Sequence, residues 1–108
     1  MTEPPVRIVL VTAPSEAVGM TLARAVVEDG LAACVNLVPG VRSVYRWEGA
    51  VEEAAEVLLV LKTRADRVDT LRHRVVSLHP YDVPEFVEVP VEGGLDRYLA
   101  WIRTEAAP

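Results

Sequence analysis

Apolar and polar positions change period several times along this chain. Val6 to Val11 is a short, nearly continuous apolar run with three valines, the pattern of a strand covered on both faces. Thr12 to Pro14 end it. Ser15 is placed to cap the helix that follows, and Glu16 puts negative charge in its first turn. Val18, Leu22, Ala25 and Val26 then recur at helical spacing until Gly30 stops the helix.

From Ala32 to Trp47 the chain is extended in character but divided at Pro39-Gly40, where a missing amide and a flexible glycine predict a bulge or bend. Glu48-Gly49 makes a tight turn. Val51 to Thr63 returns as a second long strand, ending in the apolar block Val57 to Leu61, so the two segments form a hairpin. Both strands are more than twice the usual ~5–6 residues. The acidic, alanine-rich stretch Glu52 to Glu56 offers little core, so the tip is expected to project beyond the rest of the domain.

Asp66 to Leu78 reads as the second helix, with Val68, Leu71, Val75 and Leu78 in one apolar arc and His73 on the wet side. The segment His79-Pro80-Tyr81-Asp82-Val83-Pro84 cannot continue it, because two prolines fix the backbone. Phe86 to Val91 supplies a fourth strand, Gly93-Gly94 breaks it, and Leu95, Tyr98, Leu99 and Ile102 form the stripe of a final short helix. The order predicts an α+β fold of the ferredoxin-like, split βαβ type: a four-stranded antiparallel sheet with a long hairpin and a C-terminal helix. Residues 1–108 read as one domain. Many unrelated chemistries use this fold.

Composition narrows the function classes. With 108 residues and 51% hydrophobic content the chain can build one core. Eleven Lys and Arg against sixteen Asp and Glu give a net charge of −5, which disfavours generic binding to nucleic acid or an anionic membrane. No apolar run approaches the ~20 residues of a membrane span, and neither a span nor a signal peptide is expected. Cys34 is the only cysteine, so an intrachain disulfide and a thiolate-rich zinc site are excluded and a reducing, cytoplasmic setting fits.

Few residues are candidates for chemistry. Cys34 lies among apolar neighbours with no basic residue adjacent in sequence and is expected to be a buried structural thiol; a nucleophilic role would need His79 or another base to approach through the fold. His79 sits in a proline-stiffened loop near Tyr81, Asp82 and Glu85, where it could bind a metal, orient a ligand or simply hydrogen-bond to backbone. One imidazole with scattered carboxylates falls short of the usual three or four converging ligands, unless other chains complete the set. Tyr45 and Trp47 share a strand face just before the hairpin turn, where the core should have run out, and point to a protein interface or an aromatic-lined pocket. Lys62 could receive an anion or snorkel at the end of its strand. A Gly-rich phosphate loop, a nucleophile elbow and a His pair at helical spacing are all missing.

Across nearly the whole chain, Ala32-Ala33-Cys34-Val35-Asn36, Pro39-Gly40, Ser43, Tyr45-Arg46-Trp47-Glu48-Gly49, Lys62-Thr63, His79-Pro80-Tyr81-Asp82-Val83-Pro84-Glu85 and Tyr98-Leu99-Ala100-Trp101 resemble the CutA family of divalent-cation tolerance proteins. The resemblance implies ferredoxin-like subunits in tight trimers similar to PII signalling proteins. Copper ligands proposed for some members are a cysteine in the first strand and two adjacent histidines; here those positions hold Val11, Leu78 and His79. A tightly bound cofactor is therefore not expected, and His79 remains a partial ligand for a weakly held divalent cation such as copper. The leading expectation is a non-enzymatic homotrimer whose inter-subunit clefts are lined by Tyr45, Trp47, Lys62, His79, Tyr81 and Glu85. The alternatives are a PII-like signalling or structural scaffold without a metal and, less favoured, a Cys34/His79 thiol enzyme.

Overall fold

In the computed structural model, which describes residues 3–108, the first strand β1 (Val6–Ala13) shows why its run is so apolar. Val9, Val11 and Ala13 are fully buried on one face, while Ile8, Leu10 and Thr12 are half-buried on the other. Helix α1 (Glu16–Glu28) begins where the Ser15 hydroxyl accepts the Val18 amide at 3.2 Å, as the cap signature predicts. It buries Gly19, Leu22, Ala23 and Val26. At Gly19 the helix comes so near the sheet that a Cβ would lie 3.0 Å from the Leu37 and Val57 side chains.

Strands β2 (Cys34–Trp47) and β3 (Ala50–Arg64) form the predicted long hairpin. Its turn places Glu48 at φ 50° and Gly49 at φ 83°, and two successive left-handed residues match the twist of the flanking strands. The register shifts between Val38 and Val41, with Gly40 at φ 75°, so the Pro39-Gly40 signal marks a real bulge. β1 pairs only with Val57 to Arg64 of β3, while the stretch from Ala50 to Glu56 pairs with β2 alone. The free end of the hairpin therefore projects, and the molecule measures 49 × 25 × 23 Å.

Helix α2 (Val68–Leu78) starts later than expected, because Ala65–Arg67 tighten into a 3-10 turn in which the Arg64 guanidinium grips the Asp66 carboxylate at 2.7 and 3.0 Å. Val68, Leu71 and Val75 are buried; Leu78, the last helical residue, stays at the surface as the chain turns away at Pro80. Strand β4 (Val87–Pro90) is shorter than the predicted Phe86 to Val91, with the Phe86 ring packed on the core beside it. Helix α3 (Asp96–Glu105) excludes Leu95, which precedes it at 72% exposure and does not join the apolar stripe.

All strand pairs are antiparallel in the order β2-β3-β1-β4, the ferredoxin-like arrangement expected. Helices α1 and α2 cover one sheet face over a core built around Leu22, Leu59, Leu61 and Leu71. Ile102 of α3 and Ala106, which caps that helix, pack on Val6 and Ala33 at one end of the opposite face. The rest of that face carries Ile8, Leu10, Leu58 and Val60, half-buried, with exposed Val38, Val87 and Val89. No element among the described residues covers it.

Candidate functional site

The period-two alternation of β2 places Tyr45 and Trp47 on the same side, with Glu52 directly opposite Tyr45. Glu56 follows on that face of β3. The loop after α2 lies against this surface and bounds a half-open cleft of about 900 Å³ lined by Tyr45, Trp47, Glu52, Glu56, Tyr81 and Glu85 among others. The Tyr81 hydroxyl donates to the Glu56 carboxylate at 2.8 Å. Burial, followed by that bond and the Glu56 charge, pushes the Tyr81 phenol up to about 12. Glu85 is raised above the usual carboxylate value, first by burial and then by the Glu56 charge. Tyr45, Trp47 and Tyr81 are 42%, 46% and 36% exposed, which leaves large aromatic faces open to a guest.

His79 holds the loop in place. Its Nε2 lies 2.7 Å from the Thr12 carbonyl and its Nδ1 lies 3.1 Å from the Tyr81 amide nitrogen. A carbonyl can only accept and an amide can only donate, so these partners assign the proton to Nε2 and the lone pair to Nδ1. The ring is 7% exposed and packs against Tyr81 at 4.7 Å between centroids. Of the roles open to His79, backbone bonding is the one occupied. A metal at Nδ1 would displace the Tyr81 amide, and no group of three or more His, Cys, Asp and Glu gathers to hold an ion among the described residues.

Lys62 does not join this cavity within one chain. It stands six residues from Glu56 on β3, about 20 Å along the strand, with its ammonium 3.1 Å from the Tyr98 hydroxyl and 5.3 Å from that ring's centre. Its hydrogen bond to Tyr98 raises the ammonium pKa, against a smaller opposing effect of burial. Cys34, opposite Lys62 in the register, places its thiol 3.6 Å from the same hydroxyl. The expected burial of Cys34 is corrected: it is half-buried, because α3 covers this end of the sheet only in part. Its thiol meets Tyr98, not His79.

The structure thus joins Tyr45, Trp47, Tyr81 and Glu85, places His79 behind them, and moves Lys62 to a separate cluster. Sequence reasoning missed Glu56 and Tyr98 as site residues. Alternation from Glu52 through Ala54 to Glu56 on the Tyr45 face could have found the first; only the docking of α3 reveals the second.

A ferredoxin-like domain with a projecting hairpin and an aromatic, acidic pocket defines the structural class. The family model of CutA1 divalent ion tolerance protein matches residues 7–105, and the chain belongs to that family. It is 52% identical over 96 residues to the divalent-cation tolerance protein CutA of Thermus thermophilus, covering 89% of this chain and 93% of that protein. It is 50% identical over 93 residues to human protein CutA, covering 86% of this chain and 52% of the human protein. The chain spans about half the length of that human relative and of the chloroplastic Arabidopsis thaliana CutA, of which it covers 53%. The solved Thermus thermophilus structure superposes with a TM-score of 0.93 at 49% identity, covering 94% of this chain and 99% of that one. The Oryza sativa CutA1 structure gives 0.93 at 45% identity, covering 97% and 96%. No helix among the described residues is long and apolar enough to cross a membrane.

Proposed function

We propose that the chain acts in the cytoplasm as a non-enzymatic homotrimer of the divalent-cation response, binding cations such as copper weakly in clefts beside the projecting hairpins. The observation that carries the assembly is the uncovered apolar sheet face of Ile8, Leu10, Leu58, Val60, Val87 and Val89, continuous with a hairpin end that has no core of its own. An isolated hairpin is marginal in water, so contact with another subunit is the physical remedy. His79 supplies the metal ligand in this reading through Nδ1, and the cost of releasing the Tyr81 amide accounts for weak binding. A PII-like signalling or structural trimer without a physiological metal is the second reading, favoured by the engagement of both His79 nitrogens.

Light scattering at micromolar concentration should give a trimer mass; a monomer would refute the assembly. Copper calorimetry on untagged protein should give micromolar or weaker binding that diminishes in His79→Ala with the trimer intact. Nanomolar binding, or unchanged binding in the variant, would overturn the metal assignment, and no binding at all would favour the scaffold.

A further inference from the structure

We propose that the cavity between the hairpin and the His79–Glu85 loop takes a small organic ammonium ion, its alkylated nitrogen held against Tyr45, Trp47 and Tyr81 and neutralised by Glu56 and Glu85. This deepens the cleft reading above and requires the cleft to stay open in the assembled protein, but it requires no metal there.

Four observations carry it. Three of the six Phe, Trp and Tyr residues of the chain line this one cavity with substantial exposure, and aromatic faces attract a cation through the ring quadrupole. Within one chain the carboxylates on the wall outnumber the cations: Glu52, Glu56, Asp82 and Glu85 enter no ion pair among the described residues, and Arg46 is the sole basic side chain along the lining. The charge of Glu56 acts against Glu85, a repulsion that a guest cation would relieve. A volume of about 900 Å³ lies within the range of small-molecule sites.

The same features argue against a bare metal ion as the preferred guest. A hard divalent cation needs several converging oxygen ligands and gains little from indole or phenol faces, whereas an alkylated ammonium has too diffuse a charge for tight chelation and an apolar surface that suits them. An anionic guest would meet the carboxylates.

The test is an NMR titration of the untagged, ¹⁵N-labelled full chain with tetramethylammonium chloride, following the two indole N–H signals. The Trp47 signal should shift and saturate at millimolar concentration while that of Trp101, stacked on Tyr98 at 5.6 Å, stays still. Neutral tert-butanol should bind about tenfold more weakly or worse, and Glu56→Gln should weaken binding several-fold. Equal responses to the two probes, parallel movement of both indoles, or no shift of Trp47 would overturn the proposal. Zinc chloride added to a second sample tests the metal reading independently: a tetramethylammonium response without a zinc response sustains the ammonium site while that reading fails. The reverse result sinks the ammonium site alone.

Discussion

The two halves of the hairpin share strands and register yet are stabilised by different means. From Val57 to Thr63, alternate residues of β3 are buried beneath α1 and α2, with β1 paired on the free side. From Ala50 to Glu56 the same strand has no third strand and no helix over it, and its side chains are alanines, glutamates and an exposed valine. The anchored half carries the fold. The projecting half has little reason to keep its shape alone and bears the aromatic pocket, so the site is built where the chain contributes least stability.

The sharpest way to break this division is to remove an apolar side chain from each half. Leu59→Ala should cost about 2–5 kcal/mol by transfer and cavity formation, whereas Val51→Ala, at the exposed end, should stay within roughly 0.5 kcal/mol. Denaturant unfolding at fixed protein concentration reads both. Similar losses would mean that the projecting half has a core of its own. On the assembly side, Trp47→Ala should weaken association, because a Trp47 that keeps one ring face open to the cleft still packs its other side on the neighbouring subunit. Trp101→Ala should do less, since Trp101 sits on α3 against Tyr98. Light scattering on dilution compares them, and equal or reversed dissociation would remove Trp47 from the interface.

Much of the fold was legible because burial on a sheet or a helix leaves a period and turns leave local signatures. The valines of β1, the cap at Ser15, the bulge at Pro39-Gly40 and the turn at Glu48-Gly49 are local signals, and each appears where it was expected. The candidate site was legible only in part. Tyr45 and Trp47 could be paired by alternation, but whether Glu85 and Tyr81 would reach them depended on how one loop docks, and His79 fixes that docking through atoms of β1 that no local pattern links to it. The burial of Cys34 was misjudged for the same reason: its surroundings, shared with Lys62, are made by α3, and Tyr98 lies more than sixty residues away from Cys34 in sequence.

His79 joins the two regions, which makes it the next probe. His79→Ala should destabilise the protein by about 1–3 kcal/mol, because the Thr12 carbonyl and the Tyr81 amide lose their partners. His79→Asn, with one donor and one acceptor to offer, should recover part of that. Thermal unfolding of the two variants decides the matter; a neutral alanine substitution would show that the loop is held by its prolines alone.

The smallest expected effect contrasts one carboxylate from each region. Asp66, beside Arg64 at the anchored end, has its pKa lowered chiefly by that hydrogen bond, so its stabilising contribution is present above the unfolded value of 3.8 and is lost as pH falls through the folded one. Glu85 behaves oppositely. Its folded pKa lies above the usual 4.5, so the folded state binds the proton more tightly than the unfolded chain, and stability declines as pH rises from the unfolded value through the folded one. The titratable and charged groups around it come from the hairpin, as Tyr45, Arg46, Glu52 and Glu56, and from its own loop, as Tyr81 and Asp82. Of these, Glu56 is the charge that raises it, after burial. Glu56→Gln should therefore move the Glu85 midpoint back toward the ordinary value without reaching it, because burial remains, and should leave Asp66 unchanged. Carboxyl ¹³C titrations of parent and variant measure both groups at once. An unmoved Glu85 would show that burial alone sets its pKa, and the like-charge repulsion assigned to the pocket would have to be abandoned.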